Sequence, residues 1–188
     1  MEAIRGTDIS DLEELIKTGV LSKTYDLHSS DRSQDVVDNV RKREIGLWLS
    51  HTKIYDMIAS NNRSKKYSII LEDDFVFVDD YTKKLNDIIS IIDETSLDFD
   101  IIFLGILTGT KTETHVERLY NIDNDGVYYG SHGYLINNKK INEIINAFPI
   151  VTTTIDIEIF NKGKLKELTI YIFEDNIINQ NNFGTSIR

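Results

Sequence analysis

Two spacings of apolar residues recur along the chain, one typical of helices and one typical of buried strands. In "EIGLWLSHTKIYDMIAS", residues 44–60, apolar side chains return every three or four positions, which predicts a packed amphipathic helix. In "YSIIL" and "DIIFL", residues 67–71 and 100–104, apolar residues are nearly continuous, which predicts strands covered on both faces. Residues 80–93, between them, again have helical spacing. This order predicts a parallel strand pair joined by a right-handed crossover.

Weaker patterns complete a predicted α/β fold. Residues 26–43 are polar and charge-mixed, and we interpret them as a loop in preference to a short solvated helix. The sequence "NIDNDG", residues 121–126, reads as a turn because it lacks the later Glu of a calcium-binding loop. Further predicted elements are helices at 11–17 and 139–148, strands at 116–120, 127–136 and 168–173, and a short element at 155–160. No internal boundary is evident, which predicts one domain, 1–188.

Composition and charge exclude several classes of protein. The 188 residues are 40% hydrophobic and 28% charged, as in globular proteins, and the formal charge of −10 argues against a binder of nucleic acid or of anionic membranes. The chain has no cysteine, which rules out disulfides, thiolate metal sites and a cysteine nucleophile. No apolar leader follows the first residue, and no run reaches the roughly 18 residues of a membrane span. These features predict a cytoplasmic protein without a membrane span.

Three consecutive carboxylates, Glu72, Asp73 and Asp74, directly follow the first predicted strand. Their mutual repulsion in a partly buried site is costly unless a cation or several donors neutralise it. Mn²⁺ or Mg²⁺ suits this position, because such ions commonly take one or two protein carboxylates and leave room for water and phosphate oxygens. In an extended segment Glu72 and Asp74 share one side, which predicts them as the metal ligands. The alternative is that the triplet caps the next helix or lies in a solvated turn.

Other candidate residues are less specific. His51 lies beside the apolar stripe of its predicted helix, and we favour a hydrogen-bonded structural histidine there. His132 is flanked by glycines that permit close backbone approach to a ligand, so structural and functional readings stay equally open. An alcohol acceptor needs a general base, for which Asp156 is the first candidate and Glu158 the second. Either carboxylate could instead cap a helix.

Five stretches of the chain form an ordered set: "REIGLWLSHTKIYDMI", "YSIILEDDFVF", "DIIFLG", "GSHGYLINNKKINEII" and "TIDIEIF". Taken together, they resemble glycosyltransferase family 25, which includes lipooligosaccharide galactosyltransferases and collagen-modifying transferases. The acidic triplet alone is unspecific, but the ordered set is more specific and covers roughly residues 43–160.

The resemblance implies a GT-A-like, Rossmann-like α/β fold with a mixed, largely parallel sheet flanked by helices. It implies transfer of a hexose, galactose or glucose, from a UDP-sugar to a hydroxyl of a glycan or of a hydroxylysine-type protein acceptor, with inversion and with Mn²⁺ or Mg²⁺. Glu72 and Asp74 would form the metal and diphosphate motif, with Asp73 as their neighbour, and Asp156 would be the base. Residues implied to shape the donor or acceptor pocket are Gly46, Ser50, His51, His132, Gly133 and Tyr134.

The chain also departs from the family pattern. Family members begin with a strand of the type I-N-L-D-R-R, a helix and a second strand, whereas this sequence starts at what resembles the end of that second strand. The usual first strand-helix-strand is therefore predicted to be lacking, and an unpaired sheet edge would favour a homodimer. Two alternatives to an active transferase remain open: a catalytically degenerate family member that acts as a binding or interaction module, and a different metal-dependent phosphoryl enzyme.

Overall fold

The computed structural model describes residues 3–25, 34–61 and 64–181, with the side chains of residues 34–36 left out. The helices are α1 (Leu12–Lys17), α2 (Gln34–Asn61), α3 (Tyr81–Thr95), α4 (Ile141–Ala147) and α5 (Ile155–Lys164). The strands are β1 (Tyr67–Leu71), β2 (Phe75–Phe77), β3 (Ile101–Gly105), β4 (Lys111–Glu113), β5 (Leu119–Ile122), β6 (Gly133–Asn137), β7 (Ile170–Phe173) and β8 (Ile178–Gln180). In this part of the chain, no helix is long and apolar enough to cross a membrane.

Six of the strands form one mixed sheet in the order β1-β6-β3-β7-β5-β4, and β2 and β8 form a separate antiparallel pair. The mixed α/β class predicted from the sequence is confirmed. The expectation of a largely parallel sheet is confirmed only in part, because among the described strands only β3 and β7 pair in parallel. The strands β1 and β3 point the same way but are separated by β6, which runs antiparallel to both. The strand β6 therefore lies between β1 and β3, which were predicted to pair directly with each other.

The core lies on both faces of this sheet. Along β3, Ile101 and Phe103 face the cluster that buries α2, α4 and α5, whereas Ile102 and Leu104 face the cluster around α3. All residues of β3 are buried, as expected for a central strand whose two faces are both covered. The strand β6 connects β3 to β1, from which the acidic triplet continues.

The predicted helices are confirmed, but some of them begin or end at other residues than predicted. The helix predicted at 44–60 is confirmed as part of α2, which extends back to Gln34, so the loop interpretation is wrong for residues 34–43. The Gln, Arg and Lys residues among them favour helix, and none of the side chains of residues 37–43 is fully buried. Residues 26–33 of that predicted loop lie outside the described residues. The strand predicted at 127–136 is reduced to β6, because the segment before Gly133 forms the site described below.

The strand β8 crosses over the large sheet at two glycines. A Cβ on Gly105 would lie 1.9 Å from the carbonyl oxygen of Ile178, and a Cβ on Gly133 would lie 2.5 Å from the side chain of Ile178. These glycines are register partners on β3 and β6. Because neither has a side chain, the backbone of β8 can lie close to the sheet at this point. The backbone N–H of Ile177 donates to the carbonyl of Leu104 at 2.7 Å and holds the approach in place. As a result, Gln180 lies beside the acidic turn.

Candidate active site

The acidic triplet forms the turn between β1 and β2. The strand β1 ends at Leu71 and β2 begins at Phe75, so the strict alternation of an extended segment does not apply to these residues. Asp73 is exposed, whereas Glu72 and Asp74 are half-buried and contact different neighbours. The predicted separation of Asp73 from the other two carboxylates is thus observed, although a turn produces it.

Glu72 is oriented by three contacts. Its backbone N–H donates to the carbonyl of His132 at 3.2 Å, and its Oε1 accepts a short hydrogen bond from the Ser131 hydroxyl. His51 Nε2 lies 3.7 Å from the same Oε1. Burial by itself would raise the pKa of Glu72, but the neighbouring imidazole and the Ser131 hydroxyl outweigh it and lower the pKa of this carboxyl below its usual value. Glu72 is therefore ionised at neutral pH.

Of the two side-chain oxygens of Asp74, only Oδ2 has a hydrogen-bond partner among the described residues. Its Oδ2 accepts from Gln180 Nε2 at 2.6 Å, and its backbone carbonyl accepts from the N–H of Asn181 at 2.7 Å. Its Oδ1 is buried and has no hydrogen-bond partner among the described residues. A buried carboxylate oxygen without a donor is costly, so a water molecule or a ligand has to supply the missing partner.

A buried chain of side chains lies behind Glu72. His51 is 2% exposed, and its Nδ1 lies 2.6 Å from the Tyr134 hydroxyl, which in turn lies 2.7 Å from the Tyr55 hydroxyl. Burial, followed by the effects of Tyr55 and Glu72, raises the pKa of Tyr134 well above its usual value, so its hydroxyl stays protonated. The tautomer of His51 with the proton on Nε2 directs that proton towards Glu72 and accepts from the Tyr134 hydroxyl through Nδ1. The favoured reading of His51 as a hydrogen-bonded residue of the interior matches this geometry.

Tyr134→Phe is expected to destabilise the fold by about 1–3 kcal/mol, because His51 Nδ1 and the Tyr55 hydroxyl both lose a buried partner. The measurement is urea unfolding followed by circular dichroism. Tyr129→Phe is the matched control, since its ring is 45% exposed and a surface change of this kind alters stability by no more than about 0.5 kcal/mol. Equal effects of the two substitutions would show that the buried hydroxyl is not a structural link.

The segment from Gly130 to His132 joins the two acidic regions that the sequence singled out. Ser131 contacts Glu72 on one side, and on the other the N–H of Gly130 donates to Asp156 Oδ2 at 3.2 Å. Asp156 lies in the first turn of α5, where its Oδ1 accepts from the Thr154 hydroxyl at 2.6 Å and from the N–H of Ile157 at 2.9 Å. The candidate base and the acidic turn are therefore held by one short stretch of backbone.

His132 is buried, and its Nε2 lies 3.3 Å from the carbonyl of Ile178, so the proton is on Nε2. Its Nδ1 has no hydrogen-bond partner within the described residues. Gly133 provides the close approach of Ile178 described above, and its part in a pocket stays a prediction.

The remaining predicted residues lie apart from this arrangement. Glu158 Oε2 accepts from the Thr152 hydroxyl at 2.8 Å, and its Oε1 lies 3.6 Å from Lys162. Ser50 donates to the carbonyl of Gly46 at 2.7 Å and accepts from the N–H of Ile4 at 2.9 Å. Gly46 and Ser50 thus anchor the segment before α1 against α2, and their predicted place in a donor or acceptor pocket stays untested.

Two residues that orient the acidic pair were missed by sequence reasoning. Ser131 was read only as part of a glycine-flanked motif, and Gln180 lies in a tail whose pattern was ambiguous. The available signal was the pair Gly105 and Gly133, since glycines at facing positions of two strands indicate that another backbone crosses there.

The arrangement fits a hard divalent cation in one respect. Asp74 Oδ1 is an unpartnered carboxylate oxygen, the type of donor that Mg²⁺ and Mn²⁺ prefer. Within residues 3–25, 34–61 and 64–181, no group of three or more Asp, Glu or His side chains is arranged to hold a metal. Mg²⁺ is commonly bound by one or two protein carboxylates, and water and phosphate oxygens complete its coordination.

Comparison with known proteins identifies the class to which this fold and site belong. A profile of glycosyltransferase family 25, described as an LPS biosynthesis protein family, matches residues 2–159. The chain therefore belongs to glycosyltransferase family 25, and the resemblance noted in the sequence is confirmed.

Among curated proteins, the chain is similar to procollagen galactosyltransferases. The enzyme named procollagen galactosyltransferase 1 from Danio rerio is 26% identical over 111 residues, which is 58% of this chain and 18% of that protein. Procollagen galactosyltransferase 1-A from Xenopus laevis is 29% identical over 110 residues, 57% of this chain and 18% of that protein. Procollagen galactosyltransferase 2 from Homo sapiens is 27% identical over 108 residues, 56% of this chain and 17% of that protein. The matched region is thus less than one fifth of the length of these relatives.

Proposed function

We propose that this protein is a UDP-sugar-dependent hexosyltransferase with a GT-A-like fold. It transfers galactose or glucose to a hydroxyl of a glycan or of a hydroxylysine-type protein acceptor, with inversion at the sugar. The observation that carries the proposal is the unpartnered Asp74 Oδ1 directly after a core strand, with Glu72 two residues before it and Asp156 linked to Glu72 through Gly130 and Ser131. Family membership and the names of the relatives support the sugar-transfer chemistry.

In this proposal, Asp74 would hold Mn²⁺ or Mg²⁺, with Glu72 as the second carboxylate. When bound, the ion would neutralise charge on the UDP leaving group. Gln180 keeps the free oxygen of Asp74 pointed at the ligand by fixing the other one. Ser131 and His51 keep Glu72 ionised and in place, so the acidic turn is preorganised before the donor arrives.

Asp156 is the proposed general base. It takes the proton of the acceptor hydroxyl while that oxygen forms a bond to the anomeric carbon, and UDP leaves with the electron pair of the broken bond. The hydrogen bonds from Gly130, Thr154 and Ile157 fix the orientation of this carboxylate. Glu158 is a weaker candidate, because Lys162 lies 3.6 Å from its Oε1 and its contacts with Thr152 and Lys162 do not link it to the acidic turn.

The test of the donor site is isothermal titration of UDP into the purified protein with and without Mn²⁺. We expect saturable binding only when the metal is present. Absence of binding in both conditions would overturn the proposal and favour the alternative, a catalytically degenerate family member that acts as a binding module. Hydrolysis of a phosphoester without any sugar acceptor would instead favour a phosphoryl enzyme, for which family membership gives no support.

Asp156→Asn is expected to lower kcat by about 10²- to 10⁴-fold while leaving UDP binding unchanged, because the amide cannot accept the acceptor's proton. Turnover is measured with a UDP-hexose donor, and binding is measured by titration. Glu158→Gln is the matched control and should retain turnover within a few fold. If Glu158→Gln loses activity and Asp156→Asn retains it, the two residues exchange roles.

A further inference from the structure

The outer side of β1 is an open sheet edge in the part of the chain that the structure describes. The N–H of Asn138 donates to the carbonyl of Lys66 at 3.0 Å, and the N–H of Glu72 donates to the carbonyl of His132 at 3.2 Å. In an antiparallel ladder, bonded and non-bonded pairs alternate, so the even-numbered residues of this stretch face β6. Tyr67, Ile69 and Leu71 therefore direct their N–H and C=O groups away from β6. Within the described residues, no strand pairs with that side.

Apolar side chains flank this edge on both faces of the sheet. Ile69 is 41% exposed on the face that carries α3, and Met57 of α2 is 42% exposed on the opposite face. A groove of about 570 Å³ runs along the edge, lined by residues of α2 and by Ser68, Ile69, Ile70 and Leu71. Unpaired backbone groups beside exposed apolar side chains are the features that recruit another strand.

The charges at the two ends of β1 are complementary when two copies of this segment lie antiparallel. Two basic residues precede the strand and acidic residues follow it, in "KKYSIILEDD", residues 65–74. When two copies pair antiparallel about Ile69, Tyr67 lies opposite Leu71, and Lys65, just before the strand of one copy, comes to the same end of the pair as Asp73 in the acidic turn of the other. This register also aligns the outward-facing odd-numbered residues of both copies, as hydrogen bonding requires. A shift of two residues in either direction would move Lys65 of one copy out of line with the acidic turn of the other and lose the charge pairing.

We propose that the open edge of β1 is a homodimer interface, in which two copies join their six-stranded sheets by antiparallel β1 pairing about Ile69. The backbone groups of Tyr67, Ile69 and Leu71 supply the hydrogen bonds. The two Ile69 side chains meet on one face of the joined sheet. Lys65 and Asp73, both exposed in the single chain, form the ion pairs that select a second copy over other extended segments.

The test is sedimentation equilibrium of the full chain over a range of concentrations. We expect a monomer–dimer equilibrium that Ile69→Lys weakens by about tenfold or more, because two like charges then face each other on the two-fold axis. Lys65→Glu should also weaken the dimer, and adding Asp73→Lys to it should restore association by reversing the pair. Leu165→Lys is the matched control, since Leu165 is 68% exposed at the end of α5, and it should leave the dimer unchanged.

Circular dichroism of each variant shows whether it is folded, which matters most for Ile69→Lys. Lys65→Glu changes an exposed side chain and provides the second, independent probe. A wild-type chain that remains monomeric throughout would overturn the proposal. So would a dimer that tolerates both Ile69→Lys and Lys65→Glu, because association would then use another surface. Neither result depends on whether the chain binds UDP.

Discussion

Asp74→Asn is expected to abolish metal-dependent binding of UDP and to lower sugar transfer by about 100-fold or more. The side-chain amide has the same shape as the carboxylate and can still accept from Gln180 through its oxygen. Its NH₂ group then replaces the unpartnered Oδ1, so a donor stands where a metal ligand is required. The measurements are titration of UDP with Mn²⁺ present and the initial rate of hexose transfer.

The control for this prediction is Asp79→Asn, which removes an exposed carboxylate that follows β2. It should bind UDP as the wild type does. Thermal unfolding of Asp74→Asn in the absence of metal should remain close to that of the wild type, because no protein hydrogen bond is lost. Full UDP affinity in Asp74→Asn would show that the acidic turn is not the donor site, whatever the chain's activity.

Gly105→Ala is expected to destabilise the fold by about 1–3 kcal/mol and to weaken UDP binding at the same time. The added Cβ would lie 1.9 Å from the carbonyl oxygen of Ile178 and 2.8 Å from His132 Nε2. Because the nearest atom is backbone, β8 must move away, and Gln180 moves with it and releases Asp74. For a chain of this size the loss corresponds to roughly 2–4 °C in Tm per kcal/mol, which thermal unfolding detects.

Gly163→Ala is the matched control for the same type of substitution. Its Cβ would meet the tip of the Ile122 side chain at 2.6 Å, and a side-chain tip can rotate away. Alanine also favours a helix over glycine by up to about 1 kcal/mol, so the net change in stability should be small. If the two glycine variants lose stability and UDP affinity equally, β8 does not support the acidic turn.

The two predictions concern one structural unit, in which sequence-distant segments meet at the end of β1. The acidic turn comes from the middle of the chain, Ser131 and His132 precede β6, and Gln180 belongs to the last described strand. Each carboxylate of the half-buried pair has its own support, Ser131 for Glu72 and Gln180 for Asp74. Separate supports mean that substitution of Ser131 and of Gln180 should affect different carboxylates.

Much of the secondary structure could be predicted from the sequence, because apolar spacing reports which face of an element is buried. The predicted helices at 44–60 and 80–93 correspond to parts of α2 and α3, and the nearly continuous runs "YSIIL" and "DIIFL" correspond to β1 and β3. The sequence also placed three carboxylates at the end of a core strand. Local pattern was sufficient for these features because each depends on residues that are neighbours along the chain.

Strand partners and side-chain contacts depended on tertiary structure alone. Apolar spacing indicates that β1 and β3 are buried but carries no information about which strand lies between them, so β6 was not expected there. The strand β8 has too few apolar residues to stand out, and it forms because Gly105 and Gly133 leave space for it. The link from Tyr55 through Tyr134 and His51 to Glu72 joins residues from three separate segments.

The sequence by itself determined the kind of chemistry that this protein carries, a cluster of carboxylates at the end of a buried strand in a member of glycosyltransferase family 25. Only the tertiary structure decided how those carboxylates differ. Glu72 is bound by protein donors, whereas Asp74 keeps one buried oxygen without a partner among the described residues. The physical reason is that the state of a carboxylate depends on the donors and the burial around it, and those are brought by segments far away in the chain.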